Sequence, residues 1–193
     1  MNNRVFTVAE AYKLEDPERL KWLPPKEVLE ELRAAPGLVV ADIGAGTGFF
    51  SLPLASAVAP GGKVYAVDFQ ADMLKLIAQK LAAAGPANIE LVEGSAVETH
   101  LAAQSCDLAL LANVWHELDN TPSVLREMER ILKPGGQLAV LDWRPDVTRP
   151  PGPPLDHRIS SDHVHLAALS AGWQNGTSRN IGLYSYMVTC SRP

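Results

Sequence analysis

Apolar residues along this chain alternate between two patterns. Short, nearly continuous runs rich in Val, Ile and Leu read as buried strands: Val39-Val40-Ala41-Asp42-Ile43, Lys63-Val64-Tyr65-Ala66-Val67-Asp68, Ile89-Glu90-Leu91-Val92, Cys106 to Ala112, and Leu138-Ala139-Val140-Leu141-Asp142. Between them, apolar positions recur at helical spacing, as in Phe49, Phe50, Leu52, Ala55 and Val58, then Met73, Leu74, Ile77 and Leu81, then Leu125, Met128 and Leu132. The first of these helices is expected to begin near Thr47 and to kink at Pro53, and a short helix is expected over 96–104. Thr121-Pro122 reads as an N-cap and first turn, and Ser160 or Ser161 caps a last helix ending at Gly172. Strand and helix in alternation predict right-handed crossovers and an α/β, three-layer, Rossmann-like sheet.

The ends of the chain break the alternation. Asp16-Pro17 starts one helical turn, and Pro24-Pro25 starts a helix with Val28, Leu29 and Leu32 on its apolar face, closed by Pro36-Gly37. Residues 1–36 are thus expected to cap a pocket. Ile181, Leu183 and Tyr184 to Cys190 predict two strands joined near Gly182, an antiparallel hairpin that brings the sheet to about seven strands. The proline-rich stretch over 143–159 reads as a binding loop within a single domain spanning 1–193.

Composition narrows the class. At 193 residues with 47% hydrophobic content the chain can bury one sizeable core, and a net charge of -5 with scattered Lys and Arg argues against nucleic acid as a partner. No apolar run approaches the ~20 residues that cross a bilayer, and Met1-Asn2-Asn3-Arg4 leads into no secretory segment, so a cytoplasmic protein is expected. Cys106 and Cys190 sit in apolar runs and read as buried thiols.

The chemistry concentrates where the first strand ends in Gly44-Ala45-Gly46-Thr47-Gly48, a turn whose glycines leave bare backbone for a ligand. Asp68 closes the next strand, where a carboxylate can accept hydrogen bonds from both hydroxyls of a ribose. A dinucleotide site needs Gly-x-Gly-x-x-Gly, but position 49 is Phe49, which disfavours a nicotinamide cofactor and an oxidoreductase.

Asp42-Ile43-Gly44-Ala45-Gly46-Thr47-Gly48 resembles the first motif of class I S-adenosylmethionine-dependent methyltransferases, with Asp68 in the place of the ribose-binding acid. Asn113-Val114-Trp115-His116-Glu117-Leu118 and Leu132-Lys133-Pro134-Gly135-Gly136 resemble the same family, especially its small branch similar to quinone-biosynthesis C-methyltransferases. The resemblance implies S-adenosyl-L-methionine as cofactor, held by Asp42, Gly44, Ala45, Gly46, Asp68, Phe69, Met73, Ser95, Ala96 and Asn113, and a small-molecule methyl acceptor. Ser95 stands where many members carry an aspartate. Met73 reads equally as a core residue.

Methyl transfer from a sulfonium asks the protein mainly for orientation and desolvation, with a base only where the acceptor must lose a proton. His116, beyond the fourth strand, is the candidate base, and a pocket-shaping histidine bonded to Asp119 or the backbone is the alternative. His116-Glu117 begins like a zinc-protease signature, but Asn120 stands where the second histidine belongs, so no metal is expected. Tyr12, Arg19, Trp22, His157 and Arg158 are candidates for the acceptor side. Arsenic as acceptor is disfavoured by the two buried cysteines. A protein that binds S-adenosylmethionine without catalysis and acts through a partner is the reading of a different class. Oligomeric state is left open.

Overall fold

The computed structural model describes residues 6–147 and 151–193, so Met1-Asn2-Asn3-Arg4 and Pro150 lie outside the described residues. Strands β1 (Val39–Ile43), β2 (Lys63–Asp68), β3 (Ile89–Glu93), β4 (Cys106–Ala112), β5 (Leu132–Trp143), β6 (Gln174–Ile181) and β7 (Ser185–Ser191) make a seven-stranded sheet in the order β3-β2-β1-β4-β5-β7-β6. β1 to β5 pair in parallel, and β7 runs antiparallel to both β5 and β6, as the hairpin reading expected. The helices are α1 (Arg19–Trp22), α2 (Pro25–Glu31), α3 (Ser51–Val58), α4 (Ala71–Ala84), α5 (Thr121–Ile131) and α6 (Ser161–Ser170). The chain winds outward from β1 to β3 and returns to lay β4 against the other side of β1, so strand order reverses between β1 and β4.

Apart from Asp107 near its start, β4 is apolar because both of its faces are covered. Leu108 and Leu110 pack with Val40, Leu54 and Val58 on the side of α2 and α3, whereas Ala109 and Leu111 pack with Val124, Met128 and Val164 of α5 and α6. α4 buries Leu74 and Ile77 over Ala66 of β2. At the amino end of the sheet Asp107 ties three strands together, its Oδ2 accepting from Val39 N at 2.8 Å and its Oδ1 from Lys133 Nζ at 2.8 Å. The amino-terminal segment docks on the closing hairpin: Leu183 N donates to Trp22 O at 3.2 Å, and a Cβ on Gly182 would lie 2.3 Å from that oxygen. Among the described residues, no helix is long and apolar enough to cross a membrane.

Several local expectations change. The helix predicted over 96–104 is absent: Ser95 and Glu98 bridge one another, and His100 and Gln104 take φ of 61° and 52°. Buried Thr99 instead ties this segment to α5, Glu127 Oε1 accepting from Thr99 N at 2.8 Å and from its Oγ1 at 2.6 Å. α3 begins at Ser51, because the turns from the glycine motif run on through Phe50. Pro53 falls in its first turn, where the missing N–H has no intrahelical partner to lose. α2 ends at Glu31, ahead of Pro36-Gly37, where Arg33 turns to a φ of 53°. Asn120, one residue before Thr121, caps α5 by accepting from Ser123 N at 3.2 Å. β5 starts at Leu132 directly from α5, with a register shift opposite Cys106 and Leu108 that absorbs Lys133 to Gly136.

Candidate active site

The glycine turn sits at the carboxyl end of β1. Gly44 N and Ala45 N both donate to Val67 O of β2, at 2.8 and 3.0 Å. Gly44 has a φ of 71°, and a Cβ there would stand 2.5 Å from Val114 Cγ2, so glycine lets the loop after β4 cross directly over the turn. Asp68 then fastens the turn: its Oδ2 accepts from Gly46 N at 2.8 Å and its Oδ1 from Gln70 N at 2.9 Å. Burial raises the Asp68 pKa, and these two N–H groups act against that rise. Each carboxylate oxygen keeps a further lone pair, which is the capacity a pair of ribose hydroxyls needs.

Asp42 lies under the turn, 2% exposed, its Oδ2 accepting from Ser51 Oγ at 2.5 Å. Burial pushes its carboxyl up to about 6 against the pull of Ser51. Thr47 Oγ1 and Asn113 Oδ1 are buried with no hydrogen-bond partner among the described residues. Bare glycine backbone, a buried carboxylate with spare lone pairs and these orphaned oxygens fit the hydroxyl- and amine-bearing surface of an adenosyl amino acid.

A second constellation stands beside the first, at the ends of β4 and β5. His116 is 7% exposed, and its Nδ1 lies 2.8 Å from Asp142 Oδ1. Asp142 is fully buried and also accepts from His116 N at 3.0 Å and from Trp143 N at 2.7 Å. Because the carboxylate only accepts, it holds the proton on Nδ1 and leaves the Nε2 lone pair free. The histidine's partner is therefore Asp142 rather than Asp119. Nε2 faces Glu117, whose Oε1 is 3.9 Å away and accepts from Phe6 N at 3.2 Å. Burial pushes Glu117 up to about 7. Burial is the largest influence on His116 and lowers its pKa, but the hydrogen bond to Asp142 and the charges of Asp142 and Glu117 together outweigh it, and the pKa is raised.

The other candidates scatter. Phe69 is 53% exposed at the rim beside Asp68, whereas Met73 is 2% exposed and packed in the interior. Ser95 Oγ accepts from Glu98 N at 3.2 Å within its own tight turn, and Ala96 packs against the core. Tyr12 points outward at 70% exposure. Trp22 joins Trp143 and Tyr184 in an aromatic cluster, with ring centroids 5.2 and 6.2 Å from its own. His157 ends a short helical turn of the proline loop. Arg158 is not aimed at an anion: its guanidinium donates to the carbonyls of Arg144, Pro151 and Pro153 and lies 5.4 Å from the Trp143 ring, bracing that loop.

Asp142 and Glu117 had gone unassigned in the sequence. The available signal for Asp142 was its likeness to Asp68, a carboxylate closing a buried apolar strand.

A family model described as a methyltransferase domain matches residues 41–140. The chain belongs to the methyltransferase domain family. It is 37% identical over 123 residues to the demethylmenaquinone methyltransferase of Listeria monocytogenes serotype 4a, covering 64% of this chain and 51% of the relative. Identity to the enzyme of the same name from Geobacillus stearothermophilus is 35% over 123 residues, covering 64% of this chain and 52% of that one. The chain thus spans about half the length of these curated relatives. The crystal structure of an S-adenosylmethionine-dependent methyltransferase from Aquifex aeolicus matches over 98% of this chain and 100% of that one, with a TM-score of 0.92 and 32% identity. The matched region of the methyltransferase domain contains both constellations up to Val140 but not Asp142 or the amino-terminal segment. S-adenosylmethionine, in preference to a nicotinamide, is the cofactor that this membership implies.

Proposed function

We propose that this protein transfers the methyl group of S-adenosylmethionine to a small apolar acceptor, of the quinol or phenol type, that loses a proton as it is methylated. Bound S-adenosylmethionine supplies an electrophilic methyl on a sulfonium. Asp68 and the Gly44–Gly48 backbone would hold its nucleoside portion. His116 would take the acceptor's proton on Nε2, with Asp142 fixing the tautomer and stabilising the charge that forms. The observation that carries this reading is the buried His116–Asp142 pair, 2.8 Å apart, beside the glycine turn. The aromatic cluster of Trp22, Trp143 and Tyr184 supports an aromatic acceptor, as do the names of the demethylmenaquinone relatives.

The test is incubation with isotope-labelled S-adenosylmethionine and a panel of short-chain quinols, phenols and amines, read by mass spectrometry. Label in a quinol or phenol, lost in His116→Ala, is the expected result. Tight cofactor binding with no transfer to any acceptor would favour a binding protein that works through a partner, and full activity of His116→Ala would remove the base.

A further inference from the structure

Arg19 is the first residue of α1, outside the matched 41–140 region, and only 6% of it is exposed. Its guanidinium lies 4.0 Å from the ring centroid of Phe49, the residue that follows the glycine turn. The Leu14 side chain, from the same amino-terminal segment, rests on the turn itself, 3.3 Å from where a Cβ on Gly46 would stand. A guanidinium has five N–H donors. Among the described residues Arg19 makes one hydrogen bond, from Nη1 to Leu14 O at 3.3 Å, and no carboxylate stands within ion-pairing distance. Burying a cation with most of its donors unused is costly, and stacking on Phe49 offsets a small part of that. Arginine beside an acid is the usual solution, yet the charges that act on Arg19 are those of Glu15, which pairs with Lys80 at 2.7 Å, and of Asp42, which bonds Ser51. The site therefore holds a buried cation, over the residue that follows the glycine turn, and a buried acid, in the strand that leads into it, with no ion pair between them.

A ligand whose end carries both a carboxylate and an ammonium is complementary to that arrangement, and a nicotinamide dinucleotide is not. Resting on the S-adenosylmethionine reading above, we infer that Arg19 binds the carboxylate of the cofactor's amino-acid end, so that the amino-terminal segment supplies a cofactor contact as well as a cover. Burial lowers the Arg19 pKa to about 10, which leaves the side chain charged at neutral pH and available to an anion. The bidentate fork of the guanidinium suits a carboxylate in a way that a lysine at the same place would not.

The experiment is a calorimetric cycle with two ligands, S-adenosylmethionine and its decarboxylated analogue, against wild type, Arg19→Ala and Arg19→Gln. Wild type should prefer the carboxylate-bearing ligand by about tenfold to a hundredfold. Both variants should lose that preference while binding the decarboxylated analogue as wild type does, which also reports that they remain folded. A preference unchanged in either variant would overturn the assignment. So would equal loss of both ligands in Arg19→Gln, which keeps most of the side-chain volume. Failure of wild type to bind either ligand would instead strike the S-adenosylmethionine reading itself.

Discussion

The two carboxylates that close β2 and β5 occupy equivalent places in the sheet and do different work. Asp68 bonds backbone on both oxygens, to Gly46 N and Gln70 N, and so shapes a turn out of main chain. Asp142 bonds a side chain, His116 Nδ1, along with two backbone N–H groups, and so sets the protonation of a titratable ring. The β1–β2 half is a cradle of hydrogen-bonding surface over buried Asp42, and the β4–β5 half sets a histidine and Glu117 against a buried carboxylate. The difference teaches that one strand-end carboxylate can shape main chain and another orient a histidine ring, according to what the loop after the neighbouring strand brings to it.

Four measurements sharpen or break that contrast. Asp142→Ala should have the largest effect, because it strands His116 Nδ1–H and two backbone N–H groups in a fully buried place: a loss of about 3 kcal/mol in urea unfolding, and methyl transfer reduced about a hundredfold. Transfer close to wild type would show that His116 needs no positioning. Asp68→Ala should cost about 2 kcal/mol and weaken S-adenosylmethionine about thirtyfold in calorimetry, and unchanged affinity would remove the ribose role.

The third concerns pH. Glu117 rises from 4.5 to about 7 on folding, so between those values the folded state keeps a proton that the unfolded chain has lost, and stability falls as pH rises through that window. His116 acts with the same sign, since its contribution is complete below 6.5 and is lost as pH passes its raised folded value. The unfolding free energy should therefore decline from acid to neutral pH, by at most about 1.4 kcal/mol per pH unit per group, with melting temperature falling alongside, and Glu117→Gln should flatten the part between 4.5 and about 7. Transfer should run the opposite way, rising with pH as Nε2 gives up its proton. The smallest effect belongs to Arg158→Ala, which unbraces the proline loop: about 1 kcal/mol of stability, with cofactor affinity unchanged.

The cradle was legible in the sequence because it is local. A β-branched run that breaks into glycines, followed by a strand ending in Asp68, carries its meaning within a short stretch, and the strand-helix alternation around it foretold the layered sheet. The His116–Asp142 pair was not legible as a pair, since its members lie 26 positions apart and meet only because β5 pairs beside β4. Arg19 was named only as part of a wall, because its burial depends on a segment that packs across the glycine turn. The absent helix over 96–104 failed for a related reason: buried Thr99 takes its partner from Glu127 of α5, a long-range bond that overrides weak local propensity. Met73 shows the converse, helical spacing that placed it on an interior face without deciding what it touches.

The clamp made by Asp107 lies at the opposite end of the strands from all of this chemistry. Because β1, β4 and β5 are tied together there, the loops that leave their other ends are relieved of holding the sheet in register. Sequence change confined to the exposed positions of the proline loop leaves that tie untouched, so the framework can accept new loop surfaces there without losing its register.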